Sequence, residues 1–197
     1  HSWFLFLKIG SQQHPISHLK EKAYHLTQGD CVHHPHHGIG KVQSVRTRSF
    51  SGDDNTRFAK IDFKRDSVTL LLRETDLDET VRAPLDAAEA SKLLKHIEQW
   101  EGKVSKQWKA RANAHQQAME KGDPYGYAEV FKGLSKLEQE GSLRSLDRAH
   151  LKQSTQLLAE ELANALGKSQ QEALDQIEKI AYARRQPVAA APASPRR

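Results

Sequence analysis

Gly29-Asp30-Cys31-Val32-His33-His34-Pro35-His36-His37-Gly38-Ile39-Gly40 is the stretch that sets the fold class of this chain. Gly29-Asp30 is a turn signal, and Cys31-Val32 opens a short extended run. Pro35 interrupts it where a proline is tolerated, at a strand edge or a bulge. Ile39, Val42 and Val45 then continue as a second run. Downstream, Ser51-Gly52-Asp53-Asp54-Asn55 is a hairpin loop leading to Phe58, Ile61 and Phe63, with Phe58 out of strict alternation. Lys64-Arg65-Asp66-Ser67 turns the chain again into Val68-Thr69-Leu70-Leu71-Leu72. Short runs of β-branched and aromatic residues, broken by Gly, Asp, Asn and Ser, describe an antiparallel meander. Four or five such strands within residues 26–84 make a small barrel of the SH3 or Tudor type.

After Pro84 the hydrophobic period becomes helical and stays so to about Arg185. Asp86-Ala87-Ala88-Glu89 and Ser169-Gln170-Gln171-Glu172 are capping-box patterns, and Asp123-Pro124 sets an N-cap before an N1 proline. Gly167 is a C-terminal stop. Leu151, Thr155, Leu158, Leu162 and Ala165 share one face at three- and four-residue spacing. The pattern predicts helices near 86–100, 103–121, 125–139, 145–166 and 169–184. The fold class is therefore α+β: a β module over 26–84, then an all-helical module of about five helices over 85–185. Residues 1–25 show no sustained period and are expected to be a poorly ordered extension, remnant of something longer, since Met119 is the sole methionine. The Ala/Pro-rich tail 186–197 is expected to be disordered.

Composition narrows the function classes. With 197 residues, 37% hydrophobic and 28% charged, the chain can bury one or two cores. Eleven Gly, seven Pro and one Cys exclude collagen-like and disulfide-scaffold classes. No apolar run approaches the ~18 residues a membrane span needs. A lone Cys31 fits a reducing compartment, so a cytoplasmic location is expected. The net charge of +5 suggests an anionic partner. Its clearest local source is Lys103, Lys106, Lys109 and Arg111, which surround Trp108 with no acid between Gly102 and Met119.

Two constellations invite a chemical reading. His33-His34-Pro35-His36-His37 could chelate zinc or nickel, but neighbouring strand residues point to opposite faces, and no Cys pair or H-E-x-x-H completes a site. No metal, cofactor or small-molecule substrate is expected. Neither a G-x-S-x-G nor a Walker-type loop occurs, and nothing identifies an activating partner for Cys31, so no catalytic residue is assigned. Trp108 is the second. On a continuous helix it would share a face with Val104, Arg111 and His115. It is then either a core residue with solvated lysines around it or an aromatic among cations that wedges at a base step while the charges hold phosphates.

The sequence also resembles a known family. Gly29 to Gly40 is similar to the G-D-x-V-V-Y-P-x-H-G-V-G opening of the CarD/CdnL family of bacterial transcription regulators, shared with transcription-repair coupling factor. His34 stands where the family often has Tyr. Val81-Arg82 resembles the end of a V-G-[LV]-R element, with Thr80 replacing its Gly. Trp108-Lys109-Ala110-Arg111 resembles the W-x-x-R motif, and Tyr127-Ala128-Glu129-Val130-Phe131-Lys132-Gly133-Leu134 the A-E-V-V-[RK]-x-L helix. Leu157 to Ala163 is similar to the terminal L-L-x-x-E-[LV]-A stretch.

That resemblance implies a bridge, not an enzyme. A Tudor-like domain would bind the RNA polymerase β subunit, and a helical domain would contact promoter DNA at the upstream edge of the melted bubble. Trp108 would wedge into the minor groove there and stabilise the open complex, with Arg111, Lys109, Lys106, Lys103 and Lys132 as further DNA contacts. Arg48 matches a position whose Arg contacts β, and Arg46, Val68, Leu71 and Arg73 complete the implied polymerase surface. Leu71 falls where some members carry a second contacting Arg, and Arg73 where many have Pro. Two other readings remain: a polymerase-binding adaptor with little DNA contact, and a His-rich metal-binding regulator.

Overall fold

The computed structural model describes residues 25–50 and 53–182. The expected N-terminal extension (apart from His25), the expected disordered tail and the hairpin residues Ser51 and Gly52 lie outside the described residues. Among the described residues, four antiparallel strands follow one another in space as in sequence: β1 (Cys31–His34), β2 (Gly38–Phe50), β3 (Asp53–Phe63) and β4 (Val68–Arg73). Pro35 sits in the turn between β1 and β2, where its missing N–H costs no ladder hydrogen bond.

Alternation decides what each strand buries. Ala59, Ile61 and Phe63 of β3 face the core with Val42, Val32 and Leu26. Val42 and Val45 both pack inward although three residues apart, because the β2–β3 register shifts between Val42 and Ser44. Phe58 keeps the alternation of β3 and so faces the other way, which is why it breaks the apolar pattern. After β4, a 3₁₀ turn (Glu74–Asp76) and the four-residue α1 (Leu77–Thr80) drop Leu77 and Val81 onto the same core. His33 and Arg82 then exchange backbone hydrogen bonds of 2.8 and 3.0 Å, returning the chain to β1 and closing the meander.

The helical part comprises α2 (Ala87–Gln99), α3 (Trp108–Glu120), α4 (Pro124–Gln139), α5 (Ser145–Leu166) and α6 (Gln170–Tyr182). Asp86 caps α2 by accepting from the Glu89 N–H at 2.8 Å, and the Glu89 carboxylate accepts from the Asp86 N–H at 2.9 Å. Asp123 accepts from the Tyr125 N–H at 2.8 Å, and Gly167 ends α5 at φ +62°. Leu93, Ile97, Tyr127, Phe131, Leu134, Leu157, Leu158, Leu162 and Ile177 form a second, separate core. Each such side chain contributes ~1.5–3 kcal/mol, so α2, α4, α5 and α6 are held by packing more than by propensity.

One expected helix is shorter than its pattern. Residues 103–107 are not helical, and α3 starts at Trp108. Val104 instead lies over Gly133 of α4, where an added Cβ would come within 2.5 Å of its methyl, and the Trp100 ring covers Gly102. The segment is spent as a packed crossover.

The two cores meet at a buried polar junction. Both Arg82 guanidinium NH₂ groups donate to the Glu161 carboxylate, one of them at 2.8 Å, and Arg82 Nε donates to the Gly122 carbonyl at 2.7 Å. Glu161 is fully buried and also accepts from the Leu85 N–H at 3.3 Å. His33 packs beside it, its ring 5.7 Å from that of Tyr127 and its Nε2 3.8 Å from Glu161. Arg65 adds an ion pair with Glu160 at 3.6 Å.

Candidate functional site

Two exposed surfaces gather most of the residues singled out by sequence. The first is the start of α3. Trp108 is its first residue and is 41% exposed, so it is not a core side chain. Lys103, Lys106 and Lys109 are all exposed around it. Lys109 places Nζ 5.7 Å from the indole centroid, within cation–π range.

Arg111 behaves differently, and here the expectation is corrected. It is only 5% exposed. Its Nε and one NH₂ donate to the two carboxylate oxygens of Asp147 at 2.9 and 2.6 Å, and the other NH₂ donates to the Ser105 carbonyl at 2.8 Å. The hydrogen bond from Arg111 holds the Asp147 carboxyl below the usual carboxylate range. An arginine so engaged has no free charge for a phosphate. The face expected to join Val104, Trp108, Arg111 and His115 does not exist either, because Val104 precedes the helix and Arg111 turns inward. Behind the ion pair, His115 and His150 stack edge-on with centroids 6.2 Å apart; burial, then the neighbouring His150, pushes the His115 imidazole down to about 4.

Arg144 was not found by sequence reading. It precedes α5, its backbone N–H donates to Asp147 at 3.1 Å, and its guanidinium carbon lies 5.6 Å from the Trp108 centroid. No local pattern announces this, since 35 residues of two helices and their turns separate the pair. Lys132 is half-buried on α4 and lines another cleft, of about 370 Å³, with Trp100, Gly102 and Lys136; none of Trp108, Lys106 or Lys109 borders it.

The second surface is the outer face of the sheet. The register aligns Arg46, Phe58 and Arg73 across β2, β3 and β4, with Ser44, Lys60 and Leu71 as the next row. Arg46, Arg48, Lys60 and Leu71 line a shallow depression of about 520 Å³, and Leu71 is 52% exposed. Val68 sits on the opposite face of the sheet from these residues: it is half-buried, pairs with Phe63 and alternates with Leu70 and Leu72. Phe58 and Lys60 were missed, although strand alternation from Arg46 and Leu71 would have found them.

The histidine run splits: the His34 ring lies 4.7 Å from that of His37 and 5.7 Å from that of His36, while His33 lies apart from them. His33 is buried at the junction, where burial and the nearby Arg82 hold its imidazole well below the usual range. His34 Nδ1 accepts from the His36 N–H at 3.1 Å, and His37 Nδ1 lies 2.8 Å from Asp66. Among the described residues no three His, Cys, Asp or Glu side chains gather in a way that could hold a metal ion. No helix among them is long and apolar enough to cross a membrane.

Comparison with family models gives two matches in the order of the two structural parts. Residues 26–95 match the CarD-like/TRCF RID domain, and residues 92–178 match the CarD C-terminal domain. A β meander followed by a helical part thus carries both signatures in one chain, which belongs to the CarD/CdnL family of non-enzymatic, RNA-polymerase-interacting transcription regulators.

Proposed function

We propose that this regulator bridges the β subunit of RNA polymerase and promoter DNA, and that it stabilises the open complex through Trp108. The carrying observation is that Trp108 stands 41% exposed at the first position of α3, where an apolar ring of that size has no packing reason to be. Lys103, Lys106 and Lys109 supply phosphate contacts around it, and Arg46, Arg48, Leu71 and Arg73 make the contact with β. Lys132 is left as a peripheral contact. A wedge is worth most at the upstream bubble edge, because the unstacking cost of a few kcal/mol has largely been met there. The ring fills the opened step and opposes re-pairing.

The test is a pair of variants read on a melted promoter. Trp108→Ala is expected to shorten the open-complex lifetime and leave polymerase affinity nearly unchanged. Arg48→Glu is expected to weaken polymerase binding while DNA binding persists. An unaltered lifetime in Trp108→Ala overturns the wedge. The inward turn of Arg111 favours the second reading, an adaptor with little DNA contact. That reading requires polymerase binding without any salt-dependent DNA affinity.

A further inference from the structure

We propose that Arg144 is the positioning partner of Trp108 and the phosphate-binding cation at the helical tip, the role that Arg111 cannot fill. The inference rests on the DNA-contacting reading of Trp108 and deepens it. Three observations carry it. The Arg144 guanidinium carbon lies 5.6 Å from the indole centroid, on an exposed side chain. Its main chain is fixed, because its N–H donates to Asp147 at 3.1 Å and its carbonyl accepts the first hydrogen bond of α5 from the Arg148 N–H at 3.0 Å. Its charge is free, because Asp147 is already bidentate to Arg111 and no carboxylate forms an ion pair with Arg144 among the described residues.

The arrangement assigns different work to the two arginines. Arg111 anchors α3 to α5 from inside and fixes where the tryptophan starts. Arg144 reaches back from the N-cap of α5 across the ring, so the indole is steadied by a cation at the start of a different helix than its own. A planar guanidinium can remain stacked on a ring while its edge N–H groups donate to a phosphate oxygen, which an ammonium cannot do in the same way. A strand passing the tip would meet the ring and the charge together.

The experiment uses the full chain and a labelled duplex carrying a short unpaired segment, titrated over a range of salt. Arg144→Ala is expected to weaken binding about fivefold and to lower the log–log salt slope by about 0.9. Its thermal midpoint should be unchanged, since alanine keeps the N–H that Asp147 accepts. Arg144→Lys should retain the slope and still lose affinity. In a Trp108→Ala background, Arg144→Ala should cost only the salt-dependent part, so the two losses fall short of multiplying. Should Trp108→Ala weaken binding while Arg144→Ala leaves both affinity and slope intact, the proposal fails and the wedge survives. Strictly multiplicative losses overturn the positioning role. If neither variant changes binding, the DNA-contacting reading itself falls, and this inference with it.

Discussion

Arg111 and Trp108 are three residues apart, and they meet opposite fates because a single carboxylate lies within reach of one of them. Asp147 is almost fully buried and forms two charge-assisted hydrogen bonds to Arg111. Removing it strands a buried guanidinium, so Asp147→Ala should destabilise the helical part by ~3–5 kcal/mol. Trp108→Ala should leave the melting midpoint almost unmoved, because so much of the ring is already in water. Comparing the two melts checks this directly; a large loss in Trp108→Ala would return the ring to the core. The acid-free stretch from Lys103 to Arg111 could not reveal the distinction. The carboxylate that neutralises Arg111 lies 36 residues further along the chain, and sequence-local charge is blind to it.

At the scale of elements, the strands and most helices were legible because their signals are local. Capping boxes at Asp86 and Ser169, the proline at 124 and the glycine at 167 mark boundaries within a few residues of themselves. The start of α3 was not legible, because residues 103–107 have adequate helical composition and the packing of Val104 over Gly133 is a contact distant in sequence. The opposite facing of Val68 was legible in the alternation of β4. Among the helices, the contact between α3 and α5 also carries a pH dependence. His115 is depressed to about 4, mainly by burial and then by His150, while an unfolded imidazole titrates near 6.5. His33 and His150 are lowered as well. The unfolded chain therefore binds more protons below 6.5, so the stabilisation is complete above that pH and is lost as pH falls toward 4. Denaturant midpoints measured across this window should decline steadily, and His115→Leu should flatten part of the decline. A midpoint that stays constant down to pH 4.5 would contradict the burial of these rings.

At the scale of the molecule, two hydrophobic cores are joined through charge. Glu161 is fully buried and depends on Arg82, the Leu85 N–H and the neighbouring His33 for compensation. Arg82→Ala should cost ~3–5 kcal/mol and split one calorimetric transition into two, as the sheet and the helices lose their shared partner. Restoring neutrality with Arg82→Ala and Glu161→Leu together should recover much of the loss. A single transition at an unchanged midpoint in Arg82→Ala would show that the junction does not couple the cores.

Arg82 has one more property, which bears on the proposed bridge between polymerase and DNA. It grips, at once, the strand-side backbone at His33, the Gly122 carbonyl just before α4 and the carboxylate of α5. On the proposed bridge, this grip would hold the outer sheet face and the indole a set distance apart, like the jaws of a caliper locked at one opening. With the sheet seated on polymerase, the ring would arrive at a base step chosen by length instead of by spelling, and promoters would differ in response according to what happens to be melting at that point.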